Sequence, residues 1–364
     1  MRLVVTGGGT GGHVYPIVAV MQALRSSESD LEVMWIGSGR GPEKIEAERQ
    51  QVIFKSVATG KVRRYFSINN VLDIFKIPFG VLQAWFLLGS FKPDVVFAKG
   101  GFVSYPVVFA AWLRDIPILL HETDSVPGLA NRRLAKKATL IALSFPIAPP
   151  ELPKGKTVYV GQPIRLDVLT GNAKIARERF ELTADDRLVL AVFGGSQGAQ
   201  SINKVIARLL PELLPHYQVV HQVGPDNADF GRELQEKYGE RGYRASGFFT
   251  DGMRHVYALA DVIVSRAGGM VHEYAALGKP IVLLPLPGSA SNHQVRNAQA
   301  FAKQRAAIVL EEPNIKPSLL LQTLLKLRHD AEERKRLGTA IKRLDEPQAA
   351  EKLAHWISRL SELR

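Results

Sequence analysis

Short apolar runs alternate with longer segments of helical periodicity along the first 160 residues of the chain. The apolar runs are rich in β-branched and aromatic residues and predict strands at 2–6, 32–36, 94–98, 116–120 and 139–143. The segments between them predict helices near 16–26, 42–50, 70–90, 104–114 and 127–137. Regular alternation of this kind is typical of a parallel sheet covered by helices. We therefore predict an α/β domain.

The pattern is interrupted at residues 161–163, Gly-Gln-Pro, after a last short strand at 158–160, and then it restarts. Further strands are predicted near 188–193, 218–223, 243–247, 261–264, 281–284 and 307–310. A length of 364 residues also exceeds the roughly 250–300 residues at which single cores stop growing. The chain is therefore predicted to contain two Rossmann-like α/β domains, at residues 1–163 and 164–346.

The end of the chain is predicted to form an amphipathic helix at 347–364. Its apolar residues Leu353, Trp356, Ile357 and Leu360 recur at helical spacing. Such a helix needs a surface to cover, and we expect it to pack back onto the first domain.

Two glycine-rich segments each follow a predicted strand and precede a helical pattern. The first runs from Gly7 to His13 and the second from Gly194 to Ala199. Glycine lets backbone N–H groups approach an anion, and the helix N-terminus behind such a loop favours negative charge. A nucleotide-linked substrate is the ligand that this arrangement predicts first.

Two common nucleotide-dependent classes are disfavoured. Gly7, Gly9 and Gly12 satisfy G-x-G-x-x-G, but residues 37–39 read Gly-Ser-Gly where a nicotinamide enzyme carries an acidic residue for the ribose. Neither loop contains the Gly-Lys-Ser/Thr of a P-loop nucleotidase. Hydride transfer and nucleoside triphosphate hydrolysis are therefore not the favoured chemistries.

His13 is the candidate general base. It stands at the start of a predicted helix, where a neutral imidazole can accept a proton from a hydroxyl nucleophile near neutral pH. The competing interpretation is a histidine that only caps or packs the helix.

Two more predicted strands lead into segments that carry candidate site residues. The strand at 94–98 is followed by Lys99–Pro106, and the strand at 116–120 by His121–Asp124, with Asn131 on the next helix. Ligands of open α/β sheets bind at this carboxyl edge of the strands. Helix capping is the competing explanation for Asp124 and Ser125.

The second half carries candidate donor-binding residues. Residues 265–269 read Ser-Arg-Ala-Gly-Gly after a predicted strand, and Glu273 follows where a carboxylate can accept both hydroxyls of a ribose. Asn292, His293 and Gln294 suit the hydroxyls of a sugar. The sequence shows no His or carboxylate cluster at metal-ligand spacing, so we predict no bound metal.

The formal net charge of +12 indicates an acidic partner. Phosphorylated substrates, anionic lipids and nucleic acids qualify, but no basic run alternates with stacking aromatics, which disfavours nucleic acid. The chain contains no cysteine, and its first residues lead directly into a strand rather than a secretion signal. A cytosolic protein is expected.

Residues 61–91 are predicted to dock on a membrane surface. Basic residues at 61, 63 and 64 precede an aromatic and aliphatic segment from Val71 to Phe91. Polar residues and a proline interrupt this segment, leaving it short of the roughly 20 apolar residues that cross a bilayer. Interfacial binding to anionic lipid fits better. A buried helix pair is the competing interpretation.

The segments at 7–13, 100–104, 121–122, 194–198 and 265–268 together resemble the MurG family of bacterial peptidoglycan glycosyltransferases, in motif order over almost the whole chain. The resemblance implies a GT-B fold with the site in a cleft between two domains. It implies an inverting hexosyltransferase, without a cofactor, that moves N-acetylglucosamine from UDP-GlcNAc to the C4 hydroxyl of the muramoyl sugar of lipid I. The product would be lipid II, formed at the cytoplasmic face of the cell membrane.

The resemblance also implies a set of site residues. Those implied to bind UDP-GlcNAc are Thr10, Gly11, Gly12, Asp124, Arg165, Ser196, Gln197, Phe249, Met270, Glu273 and Gln294. Those implied on the acceptor side are His13, His121 and Glu122, as catalytic residues, with Phe102 and Asn131.

Two departures from the family pattern stand out. Residues 121–124 read His-Glu-Thr-Asp where the family commonly has His-Glu-Gln-Asn, and the loop at 266–273 is one residue shorter than usual. Three alternatives stay open at this point: a transferase for another membrane lipid acceptor, a UDP-GlcNAc 2-epimerase, and a basic nucleic-acid-binding module.

Overall fold

The computed structural model describes two compact units. It describes residues 1–9, 11–39, 41–60, 68–195, 197–249, 252–289, 292–311 and 316–364, and of residues 68–75 it describes the backbone alone. Unit 1 comprises Met1–Arg165 and Glu346–Arg364, and unit 2 comprises Leu166–Asp345. The C-terminal segment therefore belongs to the unit that contains the N-terminus.

Unit 1 is built on a seven-stranded sheet. Its strands are β1 (Arg2–Thr6), β2 (Glu32–Gly37), β3 (Ile53–Ser56), β4 (Val95–Ala98), β5 (Ile118–Glu122), β6 (Leu140–Leu143) and β7 (Thr157–Tyr159). They are all parallel, in the order β3-β2-β1-β4-β5-β6-β7. Parallel neighbours need long crossover connections. The connections between β1 and β6 contain the helices α1 (Gly11–Ser27), α2 (Pro42–Arg49), α3 (Ile68–Phe91), α4 (Ser104–Leu113) and α5 (Leu129–Leu134).

The central strands of unit 1 are apolar throughout because both faces of the sheet are covered. Val4 and Val96 belong to one buried core, with residues of α3 and α4. Leu3 and Val5 point the other way, as alternate strand residues do, into a second core with α1. The continuous apolar runs in the sequence reflect this double burial.

The last helix, α14 (Ala349–Ser361), packs on α1. Leu353, Ile357 and Leu360 are buried in the same core as Leu24. The hydroxyl of Ser358 also donates to Glu28 Oε1 at 2.7 Å. The apolar stripe of the helix is thus covered within unit 1.

Unit 2 is built on a six-stranded parallel sheet. Its strands are β8 (Leu188–Phe193), β9 (Tyr217–Gln222), β10 (Tyr243–Ser246), β11 (Val262–Ser265), β12 (Ile281–Leu283) and β13 (Ile308–Val309), in the order β10-β9-β8-β11-β12-β13. Its helices are α6 (Ala173–Arg179), α7 (Gln200–Leu213), α8 (Ala228–Tyr238), α9 (Met253–Leu259), α10 (Val271–Leu277), α11 (His293–Lys303), α12 (Pro317–His329) and α13 (Ala331–Lys342).

The predicted strands are present with small shifts at their ends, but β3 was missed. It lies at the sheet edge and is mostly exposed, so its sequence lacks the buried apolar run that marks the other strands. Strand β5 also continues beyond the predicted end at residue 120 and includes His121 and Glu122. This extension changes the surroundings of both residues.

Helix α3 is one continuous helix with Pro78 inside it, rather than a helix pair. Phe79, Leu82 and Phe86 of this helix are 57%, 51% and 66% exposed. None of the helices within the described ranges is long and apolar enough to cross a bilayer.

Candidate active site

The glycine loop after β1 is held by Glu43, a residue of α2 with no solvent exposure. Gly9 donates its backbone N–H to Glu43 Oε2 at 3.1 Å. The other carboxylate oxygen, Oε1, accepts the backbone N–H of Ser38 at 3.1 Å and its hydroxyl at 2.5 Å. Glu43 therefore ties the loop after β1 to the loop after β2.

Glycines make room for this carboxylate. A Cβ on Gly41 would lie 1.9 Å from Glu43 Oε2, and one on Gly8 would lie 2.5 Å from Glu43 Cδ. Sequence reasoning looked for an acidic residue at the end of β2 and missed Glu43, because an acidic residue in the first turn of a helix is ordinary. The glycines around it were the only local signal.

His13 lies in the first turn of α1, beside the loop that follows β4. A Cβ on Gly101 would be 3.6 Å from His13 Nε2, and one on Gly9 would be 3.1 Å from the ring of Phe102. Strands β1 and β4 are neighbours, so their loops meet at the carboxyl edge of the sheet. His13 and Phe102 are thus brought together, while Thr10 lies outside the described residues.

Gly11 and Gly12 open α1, and Arg165 reaches the same helix. The Arg165 guanidinium carbon lies 4.2 Å from the centroid of the Tyr15 ring, in cation–π geometry. A Cβ on Gly11 would lie 2.9 Å from the same tyrosine ring. Tyr15 therefore connects two of the implied donor residues, Gly11 and Arg165.

His121 is fully buried at the end of β5. Its Nε2 lies 3.2 Å from the carbonyl oxygen of Gly161 and 3.2 Å from Ser144 Oγ, and that hydroxyl donates to Gln162 Oε1 at 2.8 Å. His121 was expected to be catalytic, but its side chain is surrounded by protein atoms. Its position suits holding residues 161–162 rather than touching a substrate.

Glu122 is 4% exposed, and its carboxylate closes the turn that follows β5. Oε1 accepts the backbone N–H of Asp124 at 3.0 Å, and Oε2 accepts from the backbone of Gly128 at 3.0 Å and from Asn131 Nδ2 at 2.8 Å. Burial, together with the charge of Asp124, raises the pKa of Glu122 to about 7. Glu122 and Asn131 are brought together, but the carboxylate supports the loop.

Lys99 lies beneath this turn, and sequence reasoning gave it no role. It is 1% exposed, and its Nζ donates to Thr123 Oγ1. Burial lowers the pKa of Lys99 to about 8, while the carboxylates of Glu122 and Asp124 act in the opposite direction. Asp124 itself is half-buried.

The glycine loop of unit 2 runs between β8 and α7. Gly198 has φ +78°, and a Cβ there would lie 2.1 Å from the carbonyl oxygen of Val223, so only glycine fits. Gly198 donates its N–H to the Gly195 carbonyl at 3.0 Å, which also accepts Gln222 Nε2 at 3.0 Å. Gln197 is exposed on this loop, and Ser196 lies outside the described residues.

A buried polar chain supports that loop from below. Asn203 Nδ2 donates to the Val223 carbonyl at 2.8 Å, and Asn203 Oδ1 lies 3.1 Å from His221 Nε2. His221 Nδ1 in turn lies 3.0 Å from the hydroxyl of Tyr243. Burial lowers the pKa of His221 to about 3, so the imidazole stays neutral near pH 7.

Glu273 lies in the first turn of α10, and Met270 is the N-cap of that helix. Tyr257 donates its hydroxyl to Glu273 Oε2 at 2.7 Å. The preceding loop is held by Arg266, which donates to the Leu284 carbonyl and to Ser201 Oγ, both at 2.7 Å. Met270 and Glu273 are half-buried at the carboxyl edge of the unit 2 sheet.

Phe249 and Gln294 occupy different surroundings in unit 2. Phe249 is 3% exposed, with its ring edge-on to Phe193 and Phe180 at centroid distances of 6.2 and 5.5 Å. Its ring therefore belongs to the core. Gln294 is half-buried, and its Oε1 accepts the backbone N–H of Leu286 at 3.0 Å.

Within the described part of the chain, no three His, Asp or Glu side chains form a group that could hold a metal ion. Unit 1 contains His13, Phe102 and the turn after β5, and unit 2 contains a glycine loop and Glu273.

Two family models cover most of the chain. The glycosyltransferase family 28 N-terminal domain matches residues 3–143, and the glycosyltransferase family 28 C-terminal domain matches residues 189–353. Each match falls largely within one of the two units, and together they confirm the predicted GT-B fold of two Rossmann-like units with parallel sheets.

A curated relative is similar over nearly its full length. It is the UDP-N-acetylglucosamine–N-acetylmuramyl-(pentapeptide) pyrophosphoryl-undecaprenol N-acetylglucosamine transferase 2 of Bacillus thuringiensis subsp. konkukian (strain 97-27). The identity is 39% over 359 residues, which is 98% of this chain and 99% of the relative.

Solved structures agree on the fold. The crystal structure of Acinetobacter baumannii MurG has a TM-score of 0.75 and 26% identity, covering 98% of this chain and 99% of that chain. A UDP-GlcNAc 2-epimerase from Neisseria meningitidis has a TM-score of 0.71 over 99% of this chain and all of its own, but only 14% identity, a likeness of fold alone. This chain therefore belongs to glycosyltransferase family 28 and, within it, to the MurG family of N-acetylglucosamine transferases.

Proposed function

We propose that this protein transfers N-acetylglucosamine from UDP-GlcNAc to the C4 hydroxyl of the muramoyl sugar of lipid I, which forms lipid II for peptidoglycan synthesis. The observation that carries the proposal is the 39% identity over 98% of the chain with a relative that bears the name of this transferase. The glycine loops and the half-buried carboxylate of Glu273 supply the chemistry that this reaction needs.

Unit 2 would bind the donor. The loop at 194–198 leads into α7, and the N-terminus of that helix stabilises the negative charge that develops on the UDP leaving group. Glu273 accepts hydrogen bonds from the ribose hydroxyls, with Tyr257 fixing the orientation of its carboxylate. Gln197, Met270, Gln294 and the backbone of Phe249 complete the proposed donor set, together with Ser196.

Unit 1 would bind the acceptor and supply the base. His13 takes the proton of the C4 hydroxyl as that oxygen attacks the anomeric carbon, and the bond from that carbon to the UDP oxygen breaks with the electron pair leaving on UDP. One direct displacement inverts the α linkage of the donor to β. Phe102 lies beside the glycine loop and would contact the acceptor sugar, while Asn131 acts through Glu122.

His121 and Glu122 enter this proposal as positioning residues. Both are buried, and their polar atoms bond to protein: His121 to residues 144 and 161, and Glu122 to the turn from 124 to 131. Thr10, Gly11, Gly12, Asp124 and Arg165 are proposed to contact UDP-GlcNAc from unit 1.

We further propose that the protein works as a peripheral protein at the cytoplasmic face of the membrane. Phe79, Leu82 and Phe86 are exposed at spacings of three and four residues, which places them on one side of α3. Exposed aromatics of this kind insert at the acyl boundary, and basic residues bind anionic headgroups. The basic residues at 61, 63 and 64 lie outside the described residues.

The test is transfer of labelled N-acetylglucosamine from UDP-GlcNAc to a lipid I analogue in detergent, with a chelator present. Labelled lipid II is the expected product, and a parallel reaction with diacylglycerol should give none. Transfer to diacylglycerol but not to the lipid I analogue would show that the protein uses another lipid acceptor. Conversion of UDP-GlcNAc to its 2-epimer, without transfer, would overturn the proposed reaction.

A further inference from the structure

Lys99 is a buried cation next to two carboxylates. It follows β4, is 1% exposed, and donates from Nζ to Thr123 Oγ1. An ammonium removed from water is unfavourable unless it is paired and hydrogen-bonded. Its electrostatic partners are Glu122 and Asp124, both from the turn after β5.

The carboxylate of Glu122 holds the turn together. Its carboxylate accepts the backbone N–H groups of Asp124 and Gly128 and the amide of Asn131, at 2.8–3.0 Å. A protonated Glu122 would lose part of this accepting capacity. Asp124 carries the same charge nearby and opposes the ionisation of Glu122.

The two departures from the common family pattern in this turn both face Lys99. Thr123 stands where the family commonly has Gln and bonds to the ammonium, and Asp124 stands where the family commonly has Asn and interacts with its charge. A neutral amide pair is thus replaced here by a hydroxyl and a carboxylate matched to a buried cation.

We propose that Lys99 is a positioning residue for residues 122–128, where its ammonium holds Thr123 and balances the carboxylates of Glu122 and Asp124. As a result, the turn keeps its shape and Asp124 keeps its place in it. The consequence for catalysis rests on the proposed function, since Asp124 is proposed to contact the donor.

The charged groups around the turn come from two elements. Lys99 comes from the loop after β4, and Glu122 and Asp124 come from β5 and its turn. Asn131 of α5 faces Glu122 as a neutral donor. Of these groups, Lys99 supplies the opposite charge that acts on the two carboxylates.

The experiment compares Lys99→Met, Lys99→Arg and the double variant Lys99→Met/Asp124→Asn in transferase assays at several pH values. We expect Lys99→Met to lower kcat/KM by about tenfold or more, because a buried charged hydrogen bond is lost. The acid limb of its pH–rate profile should also move to higher pH by about one unit, because the carboxylates lose their cation. Lys99→Arg should keep the pH profile of the parent protein.

The double variant is the decisive comparison. With Asp124 neutral, Glu122 no longer opposes a second carboxylate, so the double variant should recover activity and pH profile relative to Lys99→Met. Losses that simply multiply, with an unshifted acid limb, would overturn the proposal and leave Lys99 as a packing residue.

A substrate-free measurement separates this proposal from the proposed function. Stability to urea should fall more steeply with rising pH between 5 and 8 in Lys99→Met than in the parent protein, since the buried Glu122 then ionises without a cation. Equal slopes would overturn the proposal even if the protein transfers N-acetylglucosamine. If Lys99→Met does not fold, Lys99→Gln replaces it in both measurements: the same shift of the acid limb and the same steeper slope are expected, and their absence would overturn the proposal.

Discussion

Gly9 donates its backbone N–H to the fully buried carboxylate of Glu43 at 3.1 Å. This contact fixes the loop that carries the chain from β1 into α1, where His13 lies. A carboxylate contributed by α2, far along the chain, thus sets the backbone of a loop whose own residues are glycines with little preference of their own. The conformation of this glycine loop is therefore set by a residue outside the loop.

Replacing Glu43 tests that contact. Glu43→Gln keeps the shape but turns one acceptor oxygen into a donor, so either Gly9 or Ser38 loses its partner. We expect the free energy of unfolding to fall by about 1–3 kcal/mol, the usual effect of an unsatisfied buried group. Urea denaturation measures this, with Glu48→Gln at an exposed position as the control. Equal stability of the two variants would show that the Glu43 contacts contribute little.

His13→Ala should remove the proposed base. Turnover is expected to fall by at least about 100-fold, the usual contribution of a positioned general base, while UDP binding stays nearly unchanged because the proposed ribose contact and the helix N-terminus for the leaving group lie in unit 2. Steady-state kinetics and calorimetric titration with UDP measure the two quantities. Unchanged turnover would remove His13 from this role.

Glu273→Ala should weaken UDP binding by about tenfold or more, because charge-assisted hydrogen bonds to the ribose are lost. Tyr257→Phe removes only the hydroxyl that orients the carboxylate, and should produce a smaller loss of the same kind. Calorimetric titration with UDP tests both variants. If Glu273→Ala binds UDP as the parent does, the ribose assignment is incorrect.

The buried His221 predicts acid sensitivity. Its pKa is lowered from 6.5 to about 3 by burial, so between these values the unfolded chain binds a proton that the folded protein does not. Stability from this group is therefore present above pH 6.5 and is lost as the pH falls, by about 2 kcal/mol between pH 7 and 5. His221→Gln should reduce that loss in urea denaturation, whereas His355→Gln at an exposed position should not. The same loss in all three proteins would contradict the prediction.

Phe86→Asp combined with Leu82→Asp should weaken binding to anionic vesicles while leaving transfer to a short-chain, water-soluble acceptor unchanged. Both side chains are more than half exposed on α3, and a charge at the acyl boundary is unfavourable. Vesicle co-sedimentation measures the effect. Ile147→Asp, at another exposed apolar position, is the matched control. Equal binding by both variants would remove α3 from the docking surface.

The candidate site was only partly visible in the sequence. Glycine loops, His13 and Glu273 could be proposed from the sequence because each stands in a short local pattern next to a strand or helix end. His121 and Glu122 were expected to act on the acceptor, yet β5 extends through them and buries both. The end of a strand depends on what packs over it, which the residues of the strand alone do not state.

The sequence by itself determined two α/β units with parallel sheets, the positions of nearly all strands and the glycine loops at their ends. These features follow from short-range periodicity and from residues with strong backbone preferences. Only the tertiary structure decided that Glu43 holds the Gly9 loop, that Lys99 lies beneath the turn after β5, and that α14 packs on α1. Each of these depends on which distant segments become neighbours, and a buried charge is stable only where those segments bring it a partner.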